Sequence, residues 1–176
     1  MGANDWATLA SIATCITCIA TFFGIPVLVW QIIGAKKTLN TKTCCNLFEF
    51  WMSKEMEDKR WLCKEKIIWP REEGKWETAT DFKKMLDQIE RESGKATRDE
   101  INKALFGIWD FFEHMGVLVK HGGLDIKVAQ EYWRDVMPHY WEPFEPVIKA
   151  IREDQKKPHM LENFENLYRE LKDPVG

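Results

Sequence analysis

A chain of 176 residues with 45% hydrophobic and 30% charged side chains holds one domain, or one domain with an appendage. An aromatic content of 12%, nine tryptophans included, excludes low-complexity, collagen-like and disordered chains. The formal charge of −3 argues against nucleic-acid binding through bulk electrostatics, and an odd count of five cysteines argues against a secreted disulfide framework.

The charge is unevenly placed. Between Asp5 and Lys36 lie 30 positions, Trp6 to Ala35, with no charged residue, and every Lys and Arg follows them. The stretch is too long for a signal peptide and lacks a basic start. As a helix rising about 1.5 Å per residue, Trp6 to Trp30 covers roughly 36 Å, enough to cross a hydrocarbon core of about 30 Å. Trp6 and Trp30 fall at the two interfaces, and Lys36, Lys37 and Lys42 follow the second. Residues 1–35 are therefore predicted as a single transmembrane helix, with the N-terminus outside and the C-terminal domain in the cytoplasm. Along this span Ala7, Ala10, Thr14, Thr17, Thr21, Gly24, Leu28 and Gln31 form a stripe of mostly small or hydroxylated residues, and Leu9, Ile12, Ile16, Ile19, Phe23, Val27 and Trp30 the opposite side. A small-residue face lets helices approach closely, so the stripe is read as a seam between copies of the chain. Two copies give a dimerising anchor, and a ring lets the threonine face line a passage.

The remainder reads as all-α. Residues 36–70 are predicted as a basic juxtamembrane helix joining the bundle, and residues 71–176 as the rest of that bundle. Within 44–69, Phe48, Met52, Met56, Cys63 and Ile67 share one side of a continuous helix that Pro70 and Gly74 end. Residues 36–71 carry a net charge of +4, read as a solvated basic face, and residues 72–176 a net of −6. A helix over 78–92 turns Phe82, Met85, Leu86 and Ile89 inward before a Ser93-Gly94 break. Thr97 and Glu100 match a capping box opening a long helix with the stripe Ile101, Leu105, Ile108, Phe112, Met115 and Val119, which Gly122-Gly123 terminates. Asp125 caps the next, which packs Ala129, Tyr132, Trp133 and Val136. Phe144, Val147, Ile148 and Ile151 mark another, and Leu161, Phe164, Tyr168 and Leu171 the last.

Motifs for chemistry are few. The chain has no phosphate-binding glycine loop, no zinc-spaced Cys-x-x-Cys outside the apolar span and no nucleophile elbow, so no cofactor and no metal site is expected. Cys44, Cys45 and Cys63 are read as buried thiols, and His114 and His121 as structural. Two Arg/His pairs carry more weight: Arg134 with His139, and Arg152 with His159, each with proline directly before the histidine. Both resemble the R-x(4–6)-H signature of HEPN domains, small helical bundles in which Arg stabilises phosphate charge and His moves a proton in RNA cleavage.

In architecture the whole chain resembles the small membrane accessory proteins of type VI-B CRISPR systems, which accompany an RNA-guided RNase effector. That resemblance implies a ring of HEPN-like subunits forming a pore in the bacterial inner membrane, which strengthens antiviral defence by disturbing the membrane potential. The partners it implies are further copies of the chain, the lipid bilayer and a functional link to the effector, with no direct nucleic-acid binding. The alternative is a membrane-tethered HEPN ribonuclease using Arg152 with His159 or Arg134 with His139. A third is an adaptor that recruits the effector to the membrane.

Overall fold

The computed structural model describes residues 28–74 and 76–172, in two units that divide between Thr41 and Lys42. In the first unit residues 28–41 are helical. The hydroxyls of Thr38 and Thr41 donate back to the carbonyls of Gly34 and Lys37, each at 3.0 Å. Leu28, Gln31 and the apolar side chains around them are exposed on this helix.

No helix among the described residues is long and apolar enough to cross a membrane. This overturns the expected transmembrane helix of residues 1–35, and with it the inner-membrane location and orientation. Of the uncharged stretch the described residues hold 28–35 before the lysines at 36 and 37, about 12 Å of helical rise against a core of about 30 Å. Ala10, Thr14, Thr17, Thr21 and Gly24 of the expected seam lie outside the described residues.

The second unit is helical throughout, with no strand among the described residues. It opens with a helical stretch, 42–51 (α1), followed by α2 (Lys54–Cys63), a π-helical turn (Lys64–Ile68) and α3 (Trp69–Glu72). The expected uninterrupted helix over 44–69 is corrected at Ser53. Its backbone is extended, with φ −62° and ψ 151°, and its hydroxyl accepts from the Met56 amide at 3.3 Å as the cap of α2. The break shifts the helical phase. Met56, Cys63 and Ile67 are buried as expected, but Phe48 and Met52 are exposed, and Cys44 and Trp51 take the inward positions. In the π-turn the Trp69 amide reaches back to the Lys64 carbonyl. The next residue, Pro70, has no amide to continue an α-helical ladder, and the widened turn absorbs that missing bond.

Thr78 caps α4 (Ala79–Ser93) by accepting from the Asp81 amide at 3.2 Å. Gly94, at φ 88°, makes the expected break. The long α5 (Lys95–Lys120) starts two residues before Thr97, so the predicted capping box is corrected: the Thr97 hydroxyl lies inside the first turn and donates to the Ser93 carbonyl at 3.0 Å. Gly122, at φ 70°, ends α5 with its own amide on the Val119 carbonyl and that of Gly123 on the Leu118 carbonyl. Asp125 caps α6 (Ile126–Trp133) as expected, accepting from Lys127 at 2.9 Å. The short α7 (Pro138–Trp141), α8 (Glu145–Asp154) and α9 (Glu162–Lys172) complete the unit.

The bundle is built around α5, which packs against α2, α4 and α9, while α8 lies on α4 and α6 and α7 on α9. The predicted stripe of α5 is buried apart from half-buried Val119, and Ala104, Trp109, Phe111 and Gly116 widen it. Burial on more than one face makes α5 the axis. Phe112 stacks on Phe164 of α9 at 5.0 Å, Trp51 meets Phe111 at 4.9 Å, and Phe144 joins Trp76 and Trp109. The Trp76 indole N–H donates to the Ile67 carbonyl at 2.9 Å, so a carbonyl of the π-turn is satisfied inside the core. At the α5–α9 crossing Gly116 allows contact that no side chain permits: a Cβ there runs into the backbone of Asn163. Tyr132, expected inside, is half exposed and lies 5.6 Å from the Phe48 ring.

Candidate functional site

The two Arg/His pairs have different surroundings. Arg152, in the last turn of α8, is turned inward with only 14% of its side chain exposed. Its Nε donates to the Met160 carbonyl at 2.7 Å and its Nη1 to Glu165 of α9 at 2.7 Å. The guanidinium thereby ties α8 to α9 and to the loop that leads into α9. His159, on that loop, points the other way: its side chain is 81% exposed and its Nδ1 lies 2.9 Å from the Glu162 carboxylate. An arginine committed to internal acceptors beside an outward histidine is not a phosphate clamp with a proton carrier. Arg134 and His139 are both exposed, on the C-cap of α6 and in α7, and no side-chain hydrogen bond or ion pair with a described residue orients either. No hydrogen bond joins the arginine to the histidine in either pair.

The loop between α8 and α9 explains why Arg152 turns inward. Helix α8 closes with the Lys157 amide on the Arg152 carbonyl and the Lys156 amide on the Glu153 carbonyl, which requires Lys156 at φ 54°. On the far side Glu113 of α5 accepts from the Phe164 amide at 2.8 Å and the Asn163 side chain at 2.7 Å, satisfying the start of α9 from another helix. Loop, arginine and Glu113 together seat α9.

A different set of polar side chains lines a groove of about 530 Å³ between α2 and the α6–α7 segment. Arg60 and Lys64 are one helical turn apart and line it together with Trp51, Trp61, Val136 and Tyr140. The Arg60 guanidinium lies over the Trp51 ring, 4.5 Å from its centroid, and Lys64 sits 5.5 Å from the centre of Trp69. Neither cation has a carboxylate partner among the described residues. The two acids on the rim, Glu57 and Asp58, are both taken by Lys54, at 3.7 and 2.7 Å. Burial pushes the Tyr140 phenol up to about 12, against the pull of nearby Arg60, so it stays a neutral donor at physiological pH. Its hydroxyl makes no hydrogen bond to a described residue. Sequence reasoning passed over this set because a run of +4 reads as a solvated face. The signal present was the i, i+4 spacing of Arg60 and Lys64 around Trp61, whereas Tyr140 joins only through the fold.

Elsewhere the inventory agrees with a bundle of structural side chains. Cys44 and Cys63 are buried, and burial raises the Cys63 thiol to about 12. Cys45 is exposed, which corrects the reading of all three as buried thiols. His114 Nδ1 lies 2.7 Å from the Asp110 carbonyl one turn back, and His121 is the exposed C-cap of α5. No group of His, Cys, Asp and Glu among the described residues is placed to hold a metal ion.

Fold and surfaces together define an all-helical bundle with an aromatic core and no assembled Arg/His centre among the described residues. Residues 11–171 match the family described as "Domain of unknown function (DUF4760)", and the chain belongs to that family. Comparison with curated proteins and with solved structures finds no match.

Proposed function

We propose that this chain is a non-catalytic accessory that acts by assembling with further copies of itself, in the setting its resemblance implies, antiviral defence beside an RNA-guided RNase. The observation that carries the reading is an apolar surface left open on the bundle. Phe48 of α1, Met52 one turn after it and Tyr132 of α6 are 41%, 56% and 50% exposed, and the Phe48 and Tyr132 rings lie 5.6 Å apart. Aromatic and Met side chains gathered on a surface are characteristic of protein contacts. The inward commitment of Arg152 supports a role without turnover.

The test is the mass of the purified full chain in solution, by light scattering, alongside an RNA-cleavage assay. The expected result is an oligomer that falls to a smaller species in the Phe48→Ser/Tyr132→Ser variant, with no cleavage by the wild type. A monomeric wild type defeats the reading. So does RNA cleavage that His139→Ala or His159→Ala abolishes.

A further inference from the structure

The groove between α2 and the α6–α7 segment has the composition of a ligand site. Its polar lining is Lys54, Arg60, Lys64, Tyr140 and the carboxylates Glu57 and Asp58, of which the guanidinium of Arg60, the ammonium of Lys64 and the phenol of Tyr140 have no hydrogen-bond or ion-pair partner among the described residues. The two carboxylates of the lining, Glu57 and Asp58, both pair with Lys54, at 3.7 and 2.7 Å. The groups left without a partner all carry donors, and unpartnered donors select an anion that offers several oxygens. Arg60 is also preorganised. Its guanidinium carbon sits over the Trp51 ring, 4.5 Å from the centroid, which limits the orientations open to the side chain. Beside these cations stands Trp61, 57% exposed and perpendicular to Trp69 at 5.6 Å, which leaves indole surface accessible to a planar ring. The volume of about 530 Å³ lies within the range of small-molecule sites, about 300–1,000 Å³.

We propose that this groove binds a nucleoside phosphate, its phosphate on Arg60, Lys64 and Tyr140 and its base against Trp61. A simple anion uses the cations but not the indole, and a neutral aromatic ligand uses the indole but leaves the donors unmatched. A nucleoside phosphate, free or within a single strand, meets both halves with one molecule. The site is independent of self-assembly, because none of its lining residues belongs to the Phe48–Tyr132 surface.

The experiment is calorimetric titration of the purified full chain with ATP, adenosine, inorganic phosphate and a single-stranded oligoadenylate. ATP is expected to bind at least about tenfold more tightly than adenosine or phosphate, since both halves of the groove contribute. Lys64→Gln and Tyr140→Phe, conservative changes at the groove wall, are each expected to weaken ATP by about tenfold, the loss of one hydrogen bond to a charged group. Trp61→Ala is expected to weaken ATP but leave phosphate unchanged. Circular dichroism reports whether each variant keeps the wild-type fold. An oligoadenylate that binds more tightly than ATP, with the same losses in the variants, assigns the site to a strand; one that binds no more tightly assigns it to the free nucleotide. The proposal is overturned if ATP does not bind the wild type, or if folded Lys64→Gln and Tyr140→Phe bind ATP as the wild type does.

Discussion

Replacing Arg152 with Met separates a structural arginine from a catalytic one. The substitution keeps an unbranched apolar stem of similar reach and removes two bonds, Nε to the Met160 carbonyl and Nη1 to Glu165. Hydrogen bonds involving a charged group contribute about 1.5–3 kcal/mol each. Two features reduce the loss. Nη2 is buried without a partner and its desolvation cost of about 1–3 kcal/mol disappears with the side chain. Arg169 also remains on Glu165, so the buried carboxylate keeps one cation. The net expectation is a destabilisation of about 2 kcal/mol. For a chain of this size that lowers Tm by about 4–8 °C. His159→Ala is expected to stay within about 0.5 kcal/mol of the wild type, because its side chain is 81% exposed and its partner is a surface carboxylate. Arg152→Met/Glu165→Leu is expected to recover most of the loss, since removing both members of a buried pair is often close to neutral. The assay is urea and thermal unfolding of the full chain followed by circular dichroism. An Arg152→Met variant as stable as the wild type refutes the reasoning, and so does a loss of equal size in His159→Ala.

The remaining predictions concern the helix crossing and the buried thiol. Gly116→Ala forces α5 away from the backbone of Asn163 and is expected to cost about 3 kcal/mol or more, read as a lower urea midpoint; an unchanged midpoint rules out the close crossing. The Cys63 thiol ionises near 9 when unfolded and near 12 when folded, so above pH 9 the unfolded state releases a proton that the folded state holds. The stability this burial protects is present below pH 9 and is lost as pH rises towards 12. Cys63→Ala is therefore expected to flatten the alkaline limb of stability against pH, and an equally steep limb in that variant contradicts it.

Much of the bundle was legible from local pattern, because helix punctuation is a short-range property. Gly94 and Gly122 adopt the positive φ that a side chain disfavours, and Asp125 caps the helix that follows it. The stripes of α5 and α9 fall inward because apolar spacing and helical period agree. The errors arose where a local alternative existed. Ser53 could continue a helix or cap one, and taking it as continuous placed Phe48 and Met52 inside. Thr97 with Glu100 has the residues of a capping box but lies inside the first turn of α5, where its hydroxyl bonds back to Ser93. The Arg/His spacing was visible as well, but spacing along the chain says nothing of which side chain turns inward. The left-handed Lys156 and the anchoring of α9 by Glu113 send Arg152 to Glu165 and leave His159 in water.

Length, composition and charge, together with the apolar period, determined an all-helical chain of amphipathic helices, because burial and backbone hydrogen bonding act on residues three and four apart. The uneven charge was equally plain, yet what it means was settled by tertiary contacts. No helix among the described residues is long and apolar enough to cross a membrane, and the basic run became a wall with two unpaired cations only once Tyr140 and Val136 were packed opposite it. Whether a charge is solvated, paired or poised towards a cavity depends on groups far away in sequence, and only the folded chain brings those groups within reach.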